Sequence, residues 1–226
     1  MVELAILILC VCMVFALLRL KNPGVGRASD DADPNDLESA FVVLKKLALT
    51  PPKNVDEEAY RRLLHRIDGL VGRIVERHLQ FLFRTEAKAP DIRRALGLDD
   101  PAATLRDIDI AAGDPEVLLY LCFFLYLGGT ARDLGKVDGD AELMMRILDD
   151  LVRRRGYPPA QFFLGLVMKY GVRADLPGNL AEARRLLHLA VANGVDAAAL
   201  ELRGLDKHAP LRRLAGVRPD GVPRTA

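Results

Sequence analysis

Three glycines, Gly113, Gly156 and Gly194, fall 43 and 38 residues apart, and each closes a partly apolar segment. Four residues after each of them a further segment opens, at Val117, Ala160 and Ala198. The runs VLLYLCFFLYLG from Val117 and AQFFLGLVMKYG from Ala160 align residue by residue: Val117 with Ala160, Leu121 with Leu164, Cys122 with Gly165, and Leu127-Gly128 with the end at Gly171. Each is followed by a polar turn and a second segment, AELMMRILDDLVRRRG closing at Gly156 and AEARRLLHLAVANG closing at Gly194. PAATLRDIDIAAG, closing at Gly113, reads as a weaker, earlier half of such a unit. Two short helices and a stop in about 40 residues is the length of a helical-hairpin repeat. A lone hairpin cannot bury its apolar face, so the units must stack on their neighbours.

The rest of the chain carries helix signals of the same kind. Asn35 followed by Glu38 has the capping-box spacing, and Leu37, Phe41, Leu44 and Ala48 recur at helical intervals until Pro51-Pro52. Asn54 with Glu57 repeats the start signal, and an apolar stripe from Tyr60 to Leu82 predicts a long amphipathic helix. Its arginines, Arg61, Arg62, Arg66, Arg73, Arg77 and Arg84, read as a solvated face. Later starts are marked by Pro90-Asp91, Asp100-Pro101, Asp114-Pro115, Asp140, Pro158-Pro159 and Asn179 with Glu182. No segment shows the period-2 alternation of a strand, and Gly128-Gly129 with Gly135 reads as an inter-helix loop. The expected class is all-α: an N-terminal membrane helix followed by an α-solenoid of helical hairpins.

The N-terminal run Leu4 to Leu18 is uncharged, and with Val2 and Leu20 it approaches the roughly 20 apolar residues that span a bilayer. Glu3 is the only charged side chain before it, which argues against a cleaved signal peptide with its basic start. Arg19, Lys21 and Arg27 follow it, so the positive-inside rule places the rest of the chain in the cytoplasm. The excess of Arg over Lys suggests a GC-rich bacterial source, hence an inner (cytoplasmic) membrane. The expected organisation is a transmembrane anchor over 1–21, a flexible Gly/Pro/Asp tether over 22–34, and an N-terminal helical region over 35–98. Repeats follow over 99–205, then a C-terminal cap and disordered tail over 206–226. Because two and a half repeats are few for a free-standing array, the helices of 35–98 are expected to pack on its first turn, with self-association as the alternative.

Composition narrows the function. The formal net charge is +1 and aromatic residues make up 6% with no Trp, so neither a basic field nor a base-stacking platform for nucleic acid is present. Of the three cysteines, Cys10 and Cys12 lie in the N-terminal run and Cys122 lies in an apolar stretch, where it reads as a small buried hydrophobe. His65, His78, His188 and His208 are dispersed without metal-ligand spacing, and Asp133, Asp138 and Asp140 lack the 12-residue calcium pattern. No phosphate-binding loop follows a strand, and Ser29 and Ser39 are the only serines. No catalytic, cofactor-binding or metal-ligating residue is therefore nominated, and the residues of the binding face are left undefined.

Taken together, Ala160, Leu164, Gly165, Gly171, Leu180-Ala181-Glu182-Ala183, Ala190 and Gly194 resemble the Sel1-like subclass of tetratricopeptide repeat. The resemblance covers about Pro115 to Leu202, good in the second copy and degenerate in the first. There Cys122 replaces the small Gly, and Met145 and Val152 replace the paired Ala; Leu125 and Met168 stand where the family usually has Tyr. It implies small residues where two helices approach, and a role in holding a protein partner without catalysis or cofactor. The expected function is a membrane-anchored adaptor or scaffold, touching the lipid bilayer through its first helix and a protein through its repeats. The alternative is a structural subunit of a bacterial envelope, secretion or pilus complex; a third possibility keeps the interaction role on the periplasmic side.

Overall fold

The computed structural model describes residues 34–52, 55–78, 91–100, 102–131, 133–173 and 177–210. The predicted anchor at Leu4 to Leu18, the tether before Pro34 and the tail after Pro210 lie outside the described residues. Among the described residues no helix is long and apolar enough to cross a membrane.

The described chain is predominantly helical, as expected. Two helices come first, α1 (Pro34–Leu49) and α2 (Glu57–His78), followed by the single turn α3 (Ile92–Ala95). The first hairpin is α4 (Pro115–Leu127) and α5 (Ala141–Asp149), the latter extended by a π-helical turn (Asp150–Arg154). The second is α6 (Pro158–Tyr170) and α7 (Leu180–Ala192). Helix α8 (Ala197–Gly204) and a 3-10 turn (Leu205–His208) follow.

The caps behave as their residue types dictate. Asp114 accepts from the amides of Glu116 and Val117, Asp140 from Leu143, and Asn179 from Glu182, each satisfying a free donor at a helix start. Gly128 and Gly171 end α4 and α6 at equivalent repeat positions with φ of 72° and 96°, a region in which a side chain is strained. Between the paired helices, Gly165 does what its lack of a side chain allows. A Cβ there would lie 2.9 Å from Leu187 Cγ and Cδ2, so α6 and α7 meet closer than any larger residue permits. Ala160, Ala183 and Ala190 line the same contact, each fully buried. In the first hairpin Cys122 takes the place of Gly165; it is buried, with its thiol 3.9 Å from the carbonyl of Met144.

Four expectations are corrected. Gly128 to Gly139 is not a plain loop: Gly129–Ala131 (β1) and Gly135–Val137 (β2) pair antiparallel, with Ala131 opposite Gly135. Strands of three residues with only Ala131 and Val137 buried leave no alternation to read. The described residues from Asp100 to Gly113 hold no α-helix, only a 3-10 turn at Leu105–Asp107. Asp107 is the reason: its carboxylate accepts from the amide and hydroxyl of Thr104, closing a capping box after which Ile108 is extended. Glu38 does not cap α1; its side chain is buried and bonds Lys169 and Tyr170.

Finally, the N-terminal helices do not sit on the first turn of the array alone. Helix α3 does pack there, through Asp114 N to Ala95 O at 3.3 Å. Helix α1, by contrast, packs against α2, α6 and the Leu205–His208 turn at the far end. Helix α2 covers the ends of α4 and α6: Leu64, Ile67 and Val71 face Tyr126, Leu127 and Tyr170 around a small cavity of about 260 Å³. One continuous core joins all of these elements.

Candidate functional site

Helix α5 is sharply two-sided. Leu143, Met144, Ile147 and Leu148 point into the core, and Ala141, Glu142, Met145, Arg146 and Asp149 form the opposite stripe at helical spacing. A groove of about 880 Å³ runs along that stripe. Ile110 and Ala111 wall one side of it, and Val172, just past the end of α6, contributes to another. Met145, Ala141, Ile110 and Val172 are all half-buried, which gives the groove an apolar floor. Its rim is charged. Asp149 pairs with Arg153 at 2.7 Å, and Asp150 pairs with Arg154 and Arg155, whereas Glu142 and Arg146 form no ion pair among the described residues.

The wall at Ile110 and Ala111 is tied to the end of the first hairpin by Arg155. Arg155 follows the π turn, and its guanidinium donates to Asp150 at 2.8 Å, to the carbonyl of Gly113 at 2.8 Å and to that of Ala111 at 3.0 Å, as well as to the carbonyl of Ile110. A planar fork with five donors suits this set of acceptors. The sequence placed Arg155 in a run of three arginines before a closing glycine and gave no sign of this role.

A second constellation lies at the other end of the array and is closed to solvent. Lys169, in the last turn of α6, is fully buried, with Nζ 2.6 Å from Glu201 Oε2 on α8 and 3.3 Å from Glu38 Oε1 on α1. The Tyr170 hydroxyl lies 3.0 Å from Glu201 and 3.4 Å from Glu38. Lys207 Nζ approaches Glu38 Oε2 to 3.7 Å. Gly204 leaves the room they occupy, since a Cβ there would stand 2.8 Å from Glu38 Oε2 and 3.0 Å from Lys169 Nζ. Beside them His208 is fully buried against the rings of Phe41 and Tyr170, at 5.5 and 5.7 Å, and neither of its nitrogens has a hydrogen-bond partner among the described residues. Burial and the neighbouring Lys169 push the imidazole down to about 3, partly opposed by Glu201.

Of the residues weighed in the sequence, Cys122 is buried, and desolvation raises its thiol well above the usual range. His65 and His188 are exposed. Among the described residues no group of three His, Cys, Asp or Glu is placed to hold a metal. The buried Lys169 cluster leaves one trace in the sequence, a lysine between Met168 and Tyr170 in a largely apolar helix.

Fold and groove together define an all-α protein built of packed helical hairpins, with an open, apolar-floored channel along one helix. No protein-family model, no curated protein and no solved structure matches the chain.

Proposed function

We propose that this protein is a membrane-anchored adaptor that holds a segment of a partner protein in the groove along α5. The reading rests chiefly on that groove: Met145, Ala141, Ile110 and Val172 present apolar surface between the unpaired side chains of Glu142 and Arg146. A partner segment with an apolar anchor and flanking charges of both signs is the complementary chemistry, the apolar contact supplying affinity and the charges fixing register. The glycine-closed hairpins and the close α6–α7 contact at Gly165 support a Sel1-like repeat scaffold for it. The uncharged run Leu4 to Leu18, with Arg19, Lys21 and Arg27 behind it, supports anchorage in a bacterial inner membrane with the repeats in the cytoplasm.

A photocrosslinking amino acid at position 145 of the full chain tests the groove. It should capture a protein that a crosslinker at exposed Arg61 does not, and the purified captured protein should bind the wild type at least tenfold more tightly than Met145→Asp. Equal binding by Met145→Asp rejects the groove as the docking site. Reporters fused after Ala226, one active only in the cytoplasm and one only outside it, test the orientation; activity of the external one rejects the cytoplasmic assignment.

A further inference from the structure

A buried histidine with both nitrogens unpartnered is rare, because each unmet donor or acceptor loses its hydration without return. His208 occupies such a place at the junction of four elements. The charged and titratable groups around it come from each: Glu38 and Lys45 from α1, Lys169 and Tyr170 from α6, Glu201 from α8, and Lys207 from its own turn. From α7, Arg184 reaches the turn at exposed Asp206, at 3.4 Å. Lys169 and Glu201 are already engaged with each other at 2.6 Å. An imidazolium in this position has three lysines as neighbours, and no described residue accepts a hydrogen bond from either of its nitrogens.

The covers over the imidazole differ in how they are held. Tyr170 belongs to α6, which packs on α7 so closely that a Cβ at Gly165 would stand 2.9 Å from Leu187. Phe41 belongs to α1, which meets the array's far end through that buried ring and through polar contacts: Glu38 to Lys169 and Tyr170, and Lys45 to the carbonyl of Arg173 at 2.7 Å. Departure of α1 would take the Phe41 ring off His208 and admit water to the imidazole. We propose that His208 and the Glu38–Lys169–Glu201 cluster form a proton-sensitive clasp for α1, which leaves the α6, α8 and Leu205–His208 surface on acidification while the α6–α7 hairpin stays folded.

The sign follows from linkage. His208 binds its proton only when the clasp is open, where it titrates near the usual histidine value of about 6.5, so each pH unit below that favours the open form by up to tenfold. Between pH 7.5 and 5.0 the opening equilibrium of α1 should rise about 30-fold, and its loss of hold begins well above the closed-state value of about 3. The clasp is independent of what the α5 groove binds.

Hydrogen exchange of the full chain at pH 7.5 and 5.0, corrected for intrinsic rates, reads this directly. The amides of Phe41 to Ala48 should lose protection about 30-fold while those of Ala183 to Ala190 hold theirs, and His208→Phe should keep α1 protected and remove its pH response. Joint loss in α1 and α7, no loss in α1, or a pH response that survives in a folded His208→Phe chain overturns the proposal. Independently of any variant, the His208 ring resonances in the wild type should stay those of neutral imidazole down to pH 5 in the closed form; a proton taken up near 6.5 without loss of α1 protection also overturns it.

Discussion

Lys169 Nζ and Glu201 Oε2 are 2.6 Å apart with both side chains shielded from water, and Glu38 completes the pair from a helix 131 residues earlier in the chain. A buried ion pair of this kind contributes little net stability compared with apolar packing, yet breaking it on one side leaves a charge stranded. Lys169→Met should therefore destabilise the protein by about 3–5 kcal/mol, measured by urea unfolding. Adding Glu38→Gln and Glu201→Gln should recover a large part of that loss. An unchanged midpoint for Lys169→Met alone would show that the cluster is not shielded as described.

Gly165 is the residue that sets the α6–α7 distance. Gly165→Ala should cost about 1–3 kcal/mol through overpacking against Leu187, beyond any gain in helix propensity. Leu187→Ala in the same chain should make the added methyl tolerable, so the two substitutions should be less than additive. Simple additivity in thermal unfolding would place the contact elsewhere.

Arg155 joins the end of the first hairpin to the segment before α4. Arg155→Met keeps the apolar stem but strips the carbonyls of Ile110, Ala111 and Gly113 of their charged donor. The expected cost is about 2–3 kcal/mol. Exchange protection around Ile110 to Gly113 should fall more than that in α7. Uniform loss across both regions would argue that Arg155 acts on global stability and not on the groove wall.

Cys122 should be silent toward thiol reagents in the folded protein. Burial holds it in the neutral thiol form, and the thiolate is the reactive species. Its alkylation at pH 8 should follow unfolding in urea, with any reagent uptake at Cys10 and Cys12 removed by Ser substitution at those two positions. Rapid modification of Cys122 without denaturant would contradict the packing of α4 on α5.

What sequence pattern records well is what neighbouring residues decide among themselves. The starts at Asp114-Pro115, Asp140 and Asn179, the stops at Gly128, Gly171 and Gly194, and the small residues at Ala160, Gly165, Ala183 and Ala190 were legible because caps, positive φ and helical spacing act over a few residues. The same local reading mistook Asp100 to Gly113 for a helix, since Thr104 and Asp107 close a turn with equally local chemistry. It also assigned Glu38 to a cap when a distant lysine competes for it.

The repeat spacing by itself determined that the chain folds as helical hairpins, because a helix stop every few turns and a stripe of apolar residues leave no other way to bury that stripe. Only the tertiary structure decided which residues meet. Glu38, Lys169, Glu201 and His208 are scattered over 171 positions and share one dry site because α1 crosses to the far end of the array. The stripe of α5 stays open because Arg155 draws Ile110 and Ala111 to its edge without covering it. Both depend on long-range packing, whose free energy comes from removing many side chains from water at once and leaves no periodic signature in any one segment.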